Sequence, residues 1–176
     1  MVNASTPRIE RAWQVLGAVL DPEVPALSIC DLGIVRDVRD ASGDAGDALV
    51  VVLTPTYSGC PATEVIECSV IDAIEAAGLG PVAVAWQRAP AWTTDWIGDE
   101  GRRKLREYGI APPGPRDLAA DSAQPIRIVG RRADAVACPH CGAAQTERLS
   151  AFGSTACKAL YRCLACREPF EYFKPI

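Results

Sequence analysis

The 176-residue sequence contains a single histidine, His140. Sites that need several imidazoles, such as those of His-rich zinc hydrolases and two-histidine iron oxygenases, are therefore excluded. No apolar run approaches the roughly 20 residues that cross a bilayer, and the N-terminus lacks the basic start and apolar core of a secretory signal. We therefore expect a cytoplasmic protein that makes no membrane contact.

The sequence also lacks an excess of positive charge, because 18 basic residues face 22 acidic ones and give a formal net charge of -4. A mildly acidic chain offers no electrostatic footprint for nucleic acid, so general DNA or RNA binding is not expected. Hydrophobic residues make up 49% of the chain, which is enough for a packed core.

Cysteine, by contrast, is abundant, with eight residues. Disulfides rarely persist in a reducing compartment, so metal binding or thiol chemistry is the better interpretation of several of these cysteines.

Hydrophobic periodicity predicts two domains of an α+β protein. The first, residues 1–114, is a small mixed α/β domain in the order helix-strand-strand-helix-strand-helix. A stretch rich in Pro, Gly, Ala and Asp, residues 115–125, is interpreted as a linker. The second domain, residues 126–176, is built on cysteine pairs. Strands are predicted near 32–38, 49–53 and 82–86, and helices begin near Pro7, Pro61 and Asp99.

Two CxxC motifs mark the second domain: Cys138 with Cys141, and Cys163 with Cys166. One tight turn presents both sulfurs of a pair, and two such turns complete the tetrahedron that zinc prefers. Four thiolates leave no open coordination position, so the zinc is expected to be structural and to supply folding free energy to a small module. The alternatives are two redox pairs or unrelated buried cysteines.

Two further residues near these motifs, Cys157 and His140, are not among the four expected zinc ligands. Cys157 is interpreted as a buried small residue, with a role as an alternative ligand left open, and His140 is expected to be exposed rather than ligating.

Cys60 is predicted to lie where a strand-exit loop becomes a helix beginning at Pro61. Backbone amides and the helix dipole there favour an anion, so the pKa of the thiol is expected to be lowered and its alkylation to be fast. Thr54, Thr56 and Ser58 lie just upstream and are expected to donate hydrogen bonds to it. The alternative is a buried cysteine that caps a core helix. Cys30 and Cys68 are predicted to be core residues.

The acidic pair Asp21 and Glu23 follows the first helix. It is either part of a functional site or a solvated turn with carboxylate caps. Trp92 and Trp96 are expected either in the core or near a partner surface.

Several of these segments together resemble a known family. Asp21-Pro22-Glu23-x-Pro25, Asp31-Leu32-Gly33-Ile34-Val35 and Thr54-x-Thr56-x-x-Gly59-Cys60-Pro61 are similar to the SufT-like iron–sulfur assembly domain, over residues 8 to 114. The ribbon, with Phe152-Gly153-Ser154-Thr155-x-Cys157-Lys158 and Arg167-Glu168-Pro169-Phe170, resembles the PaaD branch of that family (also called PaaJ).

The resemblance implies a function in aerobic phenylacetate catabolism, beside the multicomponent phenylacetyl-CoA ring epoxidase. It makes Cys60 the functional thiol and a transient ligand of iron or an iron–sulfur cluster, with Asp21, Glu23, Thr54 and Thr56 in support. The implied clients are the reductase, which carries flavin and an iron–sulfur cluster, or the diiron oxygenase.

Three hypotheses follow. The chain is a maturation factor for the metal centres of the epoxidase, with no catalytic activity of its own. Alternatively it is a non-catalytic stoichiometric or regulatory subunit of that complex. The third hypothesis is an independent thiol enzyme, which would lack a histidine base in its first domain. A homodimer would bring two copies of Cys60 together.

Overall fold

The computed structural model describes residues 7–41, 48–57, 59–114 and 136–176. The predicted linker, the first ten residues of the predicted ribbon and Ser58 lie outside these ranges. Within them, no helix is long and apolar enough to span a membrane.

The contacts divide the chain into two units, with the boundary between Gly101 and Arg102. The elements of the first unit are helix α1 (Pro7–Leu16), strands β1 (Val35–Asp40) and β2 (Leu49–Leu53), helix α2 (Thr63–Ala76), strand β3 (Val82–Trp86) and a 3-10 turn (Thr94–Trp96). Helix α3 (Asp99–Glu107) begins in the first unit and ends in the second. The mixed α+β fold and the element order predicted from the sequence are confirmed.

The first unit is built on a three-stranded sheet in the order β1-β2-β3. Strand β2 pairs antiparallel with β1 and parallel with β3, and α2 forms the crossover between the two parallel strands. Helix α2 buries Ile66, Val70 and Ile74, one turn apart, as the apolar spacing predicts. The sheet and this helix place the β2–α2 loop, which carries Cys60, at the carboxyl end of the central strand.

In the segment of helix α1, apolar residues recur at helical spacing and predict a buried stripe of Ile9, Ala12, Trp13, Leu16 and Leu20, from which the structure differs in detail. Ala12 and Leu16 are buried, but Trp13 and Leu20 are exposed. The helix ends at Leu16, so Leu20 lies in an extended segment that bridges to Ser28 and no longer follows helical spacing.

The Asp31-Leu32-Gly33 motif is a packing centre of the first unit. Gly33 has φ of +67°, and a Cβ there would lie 2.8 Å from the Trp96 Cβ. A Cβ on Gly101 would lie 2.8 Å from the Asp31 carbonyl oxygen. Both of these close contacts need a glycine, so the motif serves the packing of the first unit rather than presenting reactive groups.

The second unit contains a four-stranded sheet in the order β4-β7-β6-β5. Its strands are β4 (Ile110–Ala111), β5 (Thr146–Ser150), β6 (Lys158–Cys163) and β7 (Pro169–Phe173). The sequence places the domain boundary at 114, whereas the structure adds residues 102–114 to the unit of the ribbon. The physical reason is that β4 pairs in parallel with β7 of the ribbon sheet.

Candidate functional site

The Cys60 loop leaves strand β2 and enters α2 through a turn that the backbone stabilises. The Cys60 amide donates to the Tyr57 carbonyl (3.3 Å), and the Cys60 carbonyl accepts from the amide and the hydroxyl of Thr63 (3.3 and 2.9 Å). The helix begins at Thr63 with Ala62 as its N-cap, rather than at Pro61 as predicted. Cys60 is therefore buried just before the helix.

The environment of Cys60 shifts the pKa of its thiol in the direction opposite to the prediction. Burial has the largest effect and raises the pKa of Cys60, and the carboxylates of Glu23 and Asp21 raise it further. Hydrogen bonds from the Ala62 amide and the Thr56 hydroxyl lower it. The expectation of a lowered pKa was wrong because desolvation and two nearby carboxylates outweigh two hydrogen bonds. This direction disfavours the thiolate, so fast alkylation of Cys60 is not expected.

The acidic pair splits into two roles. Asp21 is buried, and its Oδ1 accepts from the amides of Glu23 (2.9 Å) and Val24 (2.8 Å), so the carboxylate caps the turn as one interpretation predicts. The turn is not solvated at Asp21, however, because the adjoining chain covers it. Glu23 is half-buried. Both carboxylates act electrostatically on the Cys60 thiol.

The two threonines of the loop also differ. The Thr56 hydroxyl hydrogen-bonds the Cys60 thiol. Thr54 is only 1% exposed, and its Oγ1 has no hydrogen-bond partner among the described residues. A buried hydroxyl without a partner costs free energy and marks a polar position that a bound group can satisfy.

A second cluster is formed by the four cysteines of the CxxC motifs. Their sulfurs all lie within 4.8 Å of one another. Among the described residues, they are the one group of three or more Cys, His, Asp or Glu that meets this distance. The thiol of Cys60 and the carboxylates of Asp21 and Glu23 are thus not drawn together as a ready metal site.

The geometry of the cysteine cluster fits zinc. The Sγ–Sγ distances are 3.8 Å between Cys138 and Cys166 and 3.6 Å between Cys141 and Cys163. Four sulfurs bound tetrahedrally at about 2.3 Å from one zinc lie about 3.8 Å apart. The Cys166 amide donates to the Cys163 sulfur (3.5 Å) and lowers the pKa of Cys163 to about 6. The Glu168 amide lowers the pKa of Cys166, but burial and the hydrogen bonds to neighbouring cysteines outweigh it and raise that pKa to about 12, so the fit to zinc depends on the sulfur spacing.

The burial of the three remaining cysteines agrees with the prediction in some cases and differs from it in others. Cys68 is exposed, so its assignment to the core was wrong; it faces outward because the apolar stripe of α2 lies on the opposite side. Cys30 is only half-buried, and burial and Asp31 raise its pKa to about 11. Cys157 is buried and lies 3.0 Å from the Thr155 hydroxyl, which confirms the interpretation as a packed residue.

The tryptophans follow the packing alternative. Trp92 is buried, and its indole N–H donates to the Leu32 carbonyl (2.8 Å). Trp96 is half-buried, with the Arg36 guanidinium 3.5 Å from its ring centroid. His140 is exposed as predicted.

One polar cluster was missed by sequence reasoning. Lys158 is 3% exposed, and its Nζ lies 2.9 Å from Glu171 Oε2. Burial would raise the pKa of Glu171, but the Ser154 amide and the Lys158 ammonium outweigh it and lower the pKa. The signal was available in the Phe152–Lys158 motif, where a lysine stands beside a buried cysteine at the start of a strand.

Comparisons with known proteins match both units. Residues 122–174 match the family model of the PaaD zinc beta ribbon domain, and residues 9–86 match that of the iron-sulfur cluster assembly protein. The whole chain is 44% identical over 176 residues to a protein of Escherichia coli (strain K12) that is named as a subunit of 1,2-phenylacetyl-CoA epoxidase, and it covers 98% of that protein.

Solved structures resemble part of the chain. The conserved hypothetical protein TM0487 from Thermotoga maritima shares 28% identity at a TM-score of 0.46, covering 60% of this chain and 98% of that one. A Mycobacterium tuberculosis protein described as associated with Fe–S complex assembly and repair shares 31% identity at a TM-score of 0.35, covering 62% of this chain and 94% of that one.

Proposed function

This chain belongs to the PaaD family, and from that premise we propose that it is a maturation factor for the iron or iron–sulfur centres of the phenylacetyl-CoA epoxidase. The observation that carries the proposal is the buried Cys60 thiol, whose pKa burial and the carboxylates of Glu23 and Asp21 raise, in a domain that matches iron–sulfur assembly proteins. In this proposal the metal is cargo, and the chain itself catalyses no metabolic reaction.

The chemistry of Cys60 suits brief carriage. For the sulfur to bind iron, the S–H bond must break, and we assign its proton to Glu23, the half-buried carboxylate with the larger electrostatic effect on the thiol. A thiol with a raised pKa binds metal in competition with its own proton, so return of that proton releases the cargo. The buried Thr54 hydroxyl, which has no hydrogen-bond partner among the described residues, offers an oxygen lone pair to a bound cation.

The four cysteines of the ribbon have the opposite character. We assign one zinc ion per chain to Cys138, Cys141, Cys163 and Cys166, because their sulfur spacing fits a closed tetrahedron. Zinc here is structural and supplies folding free energy to the second unit.

The second candidate is a resident, non-catalytic subunit of the epoxidase, favoured because the Escherichia coli relative is named as an epoxidase subunit. A resident subunit co-purifies with the epoxidase at fixed stoichiometry, whereas a maturation factor does not. An independent thiol enzyme is disfavoured, because the first unit lacks a histidine base and the nucleophile is not activated.

The deciding experiment replaces Cys60 with serine in cells that express the epoxidase. We expect Cys60→Ser to abolish iron loading and epoxidase activity while the protein keeps its fold and zinc, since serine costs only about 1 kcal/mol at such a site. Cys68→Ser is the matched control, because Cys68 is an exposed thiol on the next helix. Normal iron content with Cys60→Ser would remove the thiol from the function.

A further inference from the structure

The loop that joins β5 to β6, residues 151–157, has a fixed conformation that a buried ion pair organises. Glu171 on β7 accepts the Ser154 amide through Oε1 (2.5 Å) and contacts the Lys158 ammonium through Oε2 (2.9 Å). Backbone bonds from Gly153 to Lys158 (2.8 Å) and from Lys158 to Thr155 (3.2 Å) close the turn. A Cβ on Gly153 would lie 2.5 Å from Glu171 Oε1, so a side chain there would displace the Glu171 carboxylate from this position.

This ordered loop carries an aromatic side chain into solvent. Phe152 is 64% exposed, the most exposed large hydrophobic residue described. Its amide donates to the Ser150 hydroxyl (3.2 Å), and the Lys174 ammonium lies 4.6 Å from its ring centroid while donating to the Ala151 carbonyl (3.2 Å). A rigid aromatic that already lies under a cation loses little entropy when it enters a pocket.

The charge around this aromatic indicates the kind of partner. Residues 136–176 contain five basic and three acidic side chains, a net charge of +2 in a chain whose total is -4. Two of the acidic groups, Glu147 and Glu171, are paired with Arg162 and Lys158. The cysteine thiolates that hold zinc carry their negative charge at the other end of β6. Lys158 and Arg162 are themselves engaged in these pairs, and the basic group shown beside Phe152 is the Lys174 ammonium. A hydrophobic anchor under one cation complements an apolar pocket with an acidic group at its rim.

We propose that Phe152, with Lys174, is the anchor by which the ribbon docks into an acidic-rimmed apolar pocket of the epoxidase; this rests on the proposed function for the choice of partner. The surface lies at the start of β6, and the zinc cysteines lie at its end. Docking and zinc binding thus use opposite ends of one strand, and Cys60 takes no part in docking.

The test measures the affinity of the zinc-loaded full-length chain for purified epoxidase that was expressed without it. We expect Phe152→Glu to weaken the dissociation constant at least tenfold and Phe152→Ala to weaken it by less, with unchanged zinc content. Lys174→Glu should weaken binding and reduce its salt dependence. Leu164→Glu is the matched control, because Leu164 is 44% exposed between the cysteines of the second pair; it should bind like wild type.

The outcomes separate this proposal from the maturation function. Cys60→Ser should bind the epoxidase normally even where maturation fails. Binding of Phe152→Glu within twofold of wild type, or absence of wild-type binding, overturns the docking proposal and leaves the Cys60 experiment intact. A change in oligomeric state of Phe152→Glu without the epoxidase would make this surface a self-association site and also overturn it.

Discussion

The ion pair between Lys158 and Glu171 offers the sharpest test of how the ribbon is stabilised. The perturbation is Glu171→Gln, which keeps the shape of the side chain and removes its charge. The Lys158 side chain is 3% exposed, whereas that of Glu171 is 23% exposed. The variant would leave an ammonium group buried without a counter-charge, which is the costly way to break such a pair.

The expected cost is about 3 kcal/mol, at the lower end of values for broken buried pairs because Glu171 retains some contact with water. This is a shift of about a hundredfold in the unfolding equilibrium of the ribbon. Lys158→Met should cost less, since Glu171 keeps the Ser154 amide. The double variant should be more stable than Glu171→Gln alone, because no buried charge is left unpaired.

The two units can be followed separately in one urea titration. All four tryptophans lie before the boundary at 101, so tryptophan fluorescence reports the first unit. Release of zinc to a chromophoric chelator reports the ribbon. Glu171→Gln should lower the midpoint of zinc release and leave the tryptophan transition in place.

The effect of pH supplies an internal check with a definite sign. The folded-state pKa of Glu171 is lowered, so its contribution is present above the unfolded value of about 4.3 and is lost as the pH falls through the folded pKa. The difference between wild type and Glu171→Gln should therefore vanish in acid. A difference in unfolding free energy below about 0.5 kcal/mol at pH 7 would refute the assignment of this pair.

Two further predictions address the thiols. Glu23→Gln should accelerate alkylation of Cys60 severalfold at pH 8, because one carboxylate fewer opposes the thiolate, whereas the rate at exposed Cys68 should not change. Mass spectrometry of the labelled peptides measures both rates. An unchanged rate at Cys60 would contradict the electrostatic role of Glu23. Cys163→Ser should reduce bound zinc from one per chain to none. Segment 110–111 should then lose hydrogen-exchange protection together with the ribbon, while the first unit keeps its tryptophan signal. Retained protection at 110–111 would show that this segment does not depend on the ribbon.

The sequence predicts features of the fold that depend on local spacing. Ile66, Val70 and Ile74 recur at helical period, and residues 49–53 form an unbroken run of β-favouring side chains, so helix and strand follow directly. The CxxC pairs are equally local, because two residues between thiols dictate the turn. These elements lie where the patterns predict them.

Features that depend on distant neighbours were not predictable in the same way. The thiol of Cys60 was expected to be acidic from its place before a helix, but Asp21 and Glu23, nearly forty residues earlier, determine its pKa with burial. The pairing of Lys158 with Glu171 likewise depends on the β6–β7 register. The roles of Cys60, Asp21, Glu23, Thr54 and Thr56 stay predictions until the variants are measured.

Strand β4 has a practical consequence for anyone who cuts this chain. A fragment that begins after residue 114 would lack β4, and the backbone of β7 would become an open sheet edge. Open edges recruit other strands, so such a fragment is expected to aggregate or exchange segments between copies even when zinc is bound. A soluble ribbon fragment should therefore include Ile110 and Ala111, and poor behaviour of a fragment without them would reflect truncation of the sheet rather than loss of the metal.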